Sequence, residues 1–249
     1  MIINHNMAAM NTHRQLGVNN ANAASNIEKL SSGLKINRAG DDAAGLSISE
    51  KMRGQIRGLD MASKNSQDGI SMIQTTEGAL NETHDILQRM RELAVQASND
   101  TNVTADRDAI GQELAELGKE ITRIKETTQF NEQNLLDATA GDGAGAVVFQ
   151  VGANNAQSME VDFTTTGVDL TAVETAVGGL TEADVTDNAT ATALIETIDD
   201  EIKNVSTGRS YLGSIQNRLE HTINNLNNAS ENLTAAESRI RDVDYVVAA

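Results

Sequence analysis

The chain has 249 residues, of which 39% are hydrophobic but only 2% aromatic, and it contains no Trp, Pro or Cys. A core must therefore be built from Leu, Ile, Val, Met and Ala, which suits helical seams better than a wide globular centre. Missing proline favours long unbroken helices, and missing cysteine excludes disulfides, thiol catalysis and Cys-ligated zinc. Nineteen Lys and Arg against 36 Asp and Glu leave a formal charge of −17, which repels nucleic acid and anionic membranes rather than binding them.

Residues 1–40 carry Leu16, Ala23, Ile27, Leu30 and Leu34 at heptad spacing among many Asn and Ala, a stripe too narrow for a helix that is stable alone. The helix is expected to end near Ser31, Ser32 and Gly33. Glycines then permit a turn, and Asp41 and Asp42 suit the start of the next helix. No basic and apolar stretch of a secretory signal opens the chain, and no apolar run reaches the ~18 residues of a membrane span.

Residues 46–97 predict one helix of nearly 80 Å at ~1.5 Å per residue. Its seam reads Ile56, Leu59, Ser63, Ser66, Ile70, Ile73, Glu77, Leu80, His84, Leu87, Arg91 and Ala94, alternately three and four apart. A second stripe, Ile86, Met90, Leu93 and Ala97, predicts a further neighbour near its end. After a polar turn at 98–102, a shorter helix from Thr104 carries Ile110, Leu114, Leu117, Ile121 and Ile124, and the short connection predicts an antiparallel return.

Gly141, Gly143 and Gly145 lack the Lys-Ser/Thr ending of a phosphate loop and predict a flexible linker. Residues 146–151 and 159–163 predict a small β-hairpin, with 152–158 as its turn. Residues 164–190, rich in Thr, Gly, Ala and Asp, predict surface loops and short strands. The cleanest period runs over 188–243 through Ile198, Ile202, Val205, Leu212, Ile215, Leu219, Thr222, Leu226, Ala229, Leu233, Ala236, Ile240 and Val243. Gly208 and Gly213 mark the place for a bend in this helix.

None of this points to catalysis. His5, His13, His84 and His221 are not spaced as metal ligands, and no Ser, Thr or Lys nucleophile has a base beside it. Met7, Met10, Met52 and Met90 read as core filler. Asp106, Asp108, Glu113, Glu116 and Glu120 read as a solvated helix face. No cofactor and no metal are expected.

Leu30-Ser31-Ser32-Gly33-Leu34-Lys35-Ile36-Asn37-Arg38-Ala39-Gly40-Asp41-Asp42-Ala43-Ala44-Gly45-Leu46 resembles the N-terminal signature of bacterial flagellins. The likeness continues through residues 55–59, 65–70, 77–80 and 87–94, and returns at 149–153 and 236–244. It implies a mainly α fold: an elongated antiparallel helical rod with coiled-coil seams, a small β-hairpin and a variable insertion. The implied parts are an inner helix and spoke turn over 1–44, the N-terminal half of the rod over 45–138, a hairpin and surface region over 139–190, and the C-terminal rod helix over 191–249. The rod seam is expected at Ile70, Ile73, Leu80, Leu87, Ile110, Leu114, Leu117, Ile121, Leu212, Leu219, Leu226 and Leu233.

The resemblance also implies a structural subunit of the bacterial flagellum that is exported unfolded, self-assembles with the export apparatus and filament cap as partners, and lies outside the cell. Arg89, Leu93 and Glu113 match the positions at which flagellins are recognised by a host Toll-like receptor. Antiparallel packing is expected to bring them into one exposed patch with Leu93 as its apolar anchor. In one departure, flagellins usually continue beyond the stretch matching Asp244 for about forty residues as an amphipathic helix, whereas this sequence stops at Ala249. That predicts a loosely ordered N-terminal helix and weak polymerisation, and it keeps a non-polymerising flagellin or a flagellar junction-type protein as the alternative reading.

Overall fold

The computed structural model describes residues 6–141 and 143–245. Helix α1, Met7–Ser32, ends where Gly33 adopts φ +72°, a left-handed C-cap that glycine reaches without steric cost. Helix α2, Ala43–Ala97, starts where the Asp42 carboxylate accepts the Gly45 N–H at 2.9 Å. Helix α3, Thr104–Thr127, starts where Asp106 accepts the Val103 N–H at 3.2 Å. Two antiparallel hairpins follow: β1 (Gln129–Phe130) with β2 (Gln133–Asn134), and β3 (Ala146–Gln150) with β4 (Ser158–Asp162). A single helical turn, α4 (Thr171–Val173), runs into a π-helical segment, Glu174–Gly178, and a 3-10 turn, Glu182–Val185. Helix α5, Asn188–Arg241, is continuous through Gly208 and Gly213.

These elements fall into two compact units, Met1–Asp60 with Asn227–Ala249, and Met61–Leu226. The second holds nearly all of the core. Ile73, Leu80, Leu87, Ile110, Leu114, Ile121, Leu212, Leu219 and Leu226 are buried, while Ile70 and Leu117 are partly buried against them. Polar seam positions are satisfied locally. Ser66, Thr76 and Thr83 are buried and return their hydroxyl protons to the carbonyls of Ala62, Met72 and Ala79, one turn earlier.

The first unit is thinner. Among the described residues, Ile36 is its one buried apolar side chain, and Leu233 is half-buried. A short antiparallel bridge holds it: the Lys35 N–H donates to the Arg241 carbonyl at 2.7 Å, and the Val243 N–H donates to the Gly33 carbonyl at 3.0 Å. The Arg53 Nε donates to Glu237, itself 8% exposed, at 2.9 Å, and the Ser230 hydroxyl donates to Asp60 at 3.0 Å.

Three expectations change in the fold, and one hairpin is added. Residues 164–190 are only in part surface loops: Val168, Leu170, Val173, Val177 and Val185 enter the core, and residues 171–178 and 182–185 are helical where short strands were expected. The apolar residues of this segment lie too irregularly to show a period because α4, π and 3-10 geometry succeed one another. The glycine stretch is not a flexible linker over its described residues. Gly141, Gly143 and Gly145 all take positive φ, and hydrogen bonds tie Gly143 to Thr139 and Gly145 to Ala140 and Phe163. Met7 and Met10 are 72% and 65% exposed rather than core filler, since no residue of α1 is buried. The hairpin at 129–134 was missed because its strands are two residues long, and Asn131 and Glu132 supply the positive φ of its turn. His5 lies outside the described residues.

Candidate interaction site

The turn between α2 and α3 is stapled by one side chain. Arg107, 13% exposed, donates from Nε to the Ala97 carbonyl at 3.1 Å, and its Nη atoms donate to Asp100 at 3.1 Å and to the Asn99 and Thr186 carbonyls at 3.4 Å. It thereby caps carbonyl groups that the end of α2 leaves without helical partners. In the antiparallel register this sets, Arg89 of α2 faces Glu113 of α3. The guanidinium donates to Glu113 Oε1 from Nε at 3.1 Å and from Nη2 at 2.9 Å, and from Nη1 to Glu92 at 3.1 Å. Hydrogen bonds first to Glu113 and then to Glu92 raise the Arg89 pKa above its ordinary value, so the group stays cationic at every accessible pH. Arg89 and Glu113 are about half exposed.

Leu93 is not part of that exposed patch. It is 2% exposed and belongs to the core with Met90, Ala94 and Ala97. The cause is visible in the sequence: the end of α2 carries two apolar stripes, and both are covered, so a leucine on the second stripe has no route to solvent. The structure thus brings Arg89 and Glu113 together on the surface and places Leu93 beneath.

Other positioning residues carried no motif. The Asn65 amide donates to the Gln150 carbonyl at 3.1 Å, fixing β3 on α2, and the Tyr211 hydroxyl accepts the Asp162 N–H at 3.1 Å, fixing β4 on α5. Gly208 lies under the loop at Gly167, where a Cβ would stand 2.3 Å from the Gly167 carbonyl carbon, so it marks a close backbone approach. Gly111 and Gly118 of α3 serve the same end: a Cβ at Gly118 would sit 2.4 Å from the Val177 carbonyl oxygen, and one at Gly111 2.7 Å from the Glu182 Cα. A glycine inside a helical pattern was the available signal. Lys125 and Glu174, both largely buried, pair α3 with the π-helical segment. No helix among the described residues is long and apolar enough to cross a membrane.

Comparison with known proteins agrees with this architecture. The bacterial flagellin N-terminal helical region matches residues 3–141, and the bacterial flagellin C-terminal helical region matches 195–249. A flagellin of Halalkalibacterium halodurans is 63% identical over 98% of this chain and 86% of its own length, and one of Bacillus subtilis is 53% identical over 98% and 88%. A flagellar filament core protein of Treponema maltophilum is 48% identical over 98% and 87%. Among solved structures, Bacillus cereus flagellin aligns with a TM-score of 0.53 at 32% identity, covering 66% of this chain and 88% of its own. A putative flagellar hook-associated protein of Vibrio parahaemolyticus shares the fold, with a TM-score of 0.64 at 14% identity over 81% of this chain and 100% of its own. With both helical regions matched and close relatives aligned over nearly the whole chain, this protein belongs to the bacterial flagellin family and is a structural protein of the flagellar filament, not an enzyme.

Proposed function

We propose that copies of this chain leave the cell unfolded through the flagellar export apparatus and polymerise beneath the filament cap into the extracellular filament used for motility. The observation that carries the reading is the match to both flagellin helical regions together with a described core built from α2, α3 and α5 seams. Such seams present helix faces that side-by-side copies can continue, and the chain needs no disulfide to refold after export. Electron microscopy of concentrated protein tests it. Sparse filaments that appear only at high concentration are the expected result, in keeping with the weak polymerisation expected from the sequence, and a chain that stays monomeric at every concentration refutes the reading.

A host Toll-like receptor for flagellin is a second partner under this proposal, reading the Arg89 and Glu113 surface. Two carboxylates already orient the Arg89 guanidinium, so little side-chain freedom is lost on contact. Leu93 supports that surface from the core rather than anchoring the receptor. Arg89→Ala and Glu113→Ala monomers with unchanged thermal stability are expected to lose most of their signalling in receptor reporter cells, and full signalling by both would remove this role.

A further inference from the structure

Methionine carries nearly all of this chain's reducing chemistry. The sequence holds eight Met but no Cys and no Trp, so a peroxide meets thioethers before any other group of comparable reactivity. The fold sorts those sulfurs by access. Met72 and Met90 are sealed in the core and Met52 and Met159 are half-buried, whereas Met7, Met10 and Met61 are all more than half exposed. Two of the open three belong to α1. At ~100° per residue, Met7, Met10 and Val18 fall along one side of that helix, and Leu16, Ala23 and Ile27 fall along the other. With apolar lines on opposite sides and no buried residue, α1 offers more surface than one neighbouring helix can cover, as a subunit surrounded by copies of itself would require.

We propose that Met7 and Met10 form an oxidation switch for self-assembly: a peroxide converts both thioethers to sulfoxides on the free chain and so withdraws one side of α1 from contact with a second copy. The inference rests on the filament reading above. Each sulfur takes one oxygen atom from hydrogen peroxide and gives up two electrons, and the peroxide leaves as water. The sulfoxide oxygen is a strong acceptor, and an apolar contact between copies offers it no donor. In the polymer that same contact shields the sulfurs, so the oxidant acts on subunits and spares filaments. Methionine sulfoxide reductase reverses the step: a dithiol supplies two electrons and becomes a disulfide, and the oxygen leaves as water.

Hydrogen peroxide treatment of the monomer, followed residue by residue with peptide mass spectrometry and by sedimentation of polymer, tests this. Met7 and Met10 are expected to gain oxygen well before Met72 and Met90. Once both are sulfoxides, the critical concentration for polymer should rise about tenfold or more, and treatment with the reductase should restore it. A Met7→Leu, Met10→Leu variant should polymerise as the parent does and continue to do so after peroxide, whereas Met61→Leu should stay sensitive. Preformed polymer should protect Met7 and Met10. Unchanged polymerisation of the doubly oxidised chain, peroxide sensitivity retained by the double Leu variant, or equal oxidation of Met7 and Met10 in monomer and polymer overturns the inference while leaving the filament reading intact. Absence of polymer from the untreated parent removes the filament reading and this inference together.

Discussion

Asp41 and Asp187 show how single carboxylates place the breaks between helices. The Asp41 carboxylate accepts the N–H groups of Arg38 and Asn37, and Asp187 accepts the backbone N–H and the hydroxyl of Thr190 ahead of α5. Those donors hold both pKa values below the usual carboxylate range. A carboxylate depressed in the folded state adds stability that is present above its unfolded pKa and lost as pH falls through the folded value. Stability is therefore expected to decline only below about pH 4, and Asp187→Asn should flatten part of that decline. Thermal melts of parent and variant at pH 6, 4 and 3 check it, and parallel curves would refute the assignment. Both groups are exposed, so each effect is modest.

Helical packing rather than ion pairing holds the elements together. Leu219 is fully buried in the α5 seam, and Leu219→Ala is expected to cost about 2–5 kcal/mol, whereas exposed Glu116→Ala, which loses only its pair with Lys119, should stay within about 0.5 kcal/mol. Chemical denaturation distinguishes the two, and equal small effects would contradict a seam-built core. The seams were legible because Ile110, Leu114 and Ile121, or Leu212, Leu219 and Leu226, repeat at a helical period that nothing else produces. What stayed hidden depends on partners remote in sequence. Arg107 reads as one more surface charge until the Ala97 and Thr186 carbonyls meet it, and Gly208 reads as a weak point until the backbone at Gly167 arrives. The pairing of Arg89 with Glu113 followed from the antiparallel return, but the burial of Leu93 required counting neighbours on both of its sides.

For the whole molecule, the division of the core predicts a division of stability. The unit Met61–Leu226 contains every buried apolar side chain but Ile36 among the described residues. Local opening free energy tracks buried contact, so amide exchange is expected to be fast along α1 and over 227–241, and slow in α3 and over 191–219. Residues 168–177 should be protected as well, since they contribute Val168, Leu170, Val173 and Val177 to that core. Rapid exchange over 168–177 would contradict their packing. Tryptic digestion should likewise trim the first unit and leave the second intact.

The glycines of α3 tie the fates of two distant stretches of sequence. In the intact chain Gly118→Ala drives a methyl group into the Val177 carbonyl, so the substitution is expected to destabilise. Were residues 171–185 exchanged for a short linker, the same methyl would meet open solvent, and alanine would gain about 1 kcal/mol of helix propensity over glycine. One substitution thus changes sign with its background, an epistasis written into backbone contact rather than side-chain chemistry. Flagellins that shorten or replace this segment are then expected to fill the two notches, so residue size at positions 111 and 118 reports, in a relative known only by sequence, whether a strap still lies across α3.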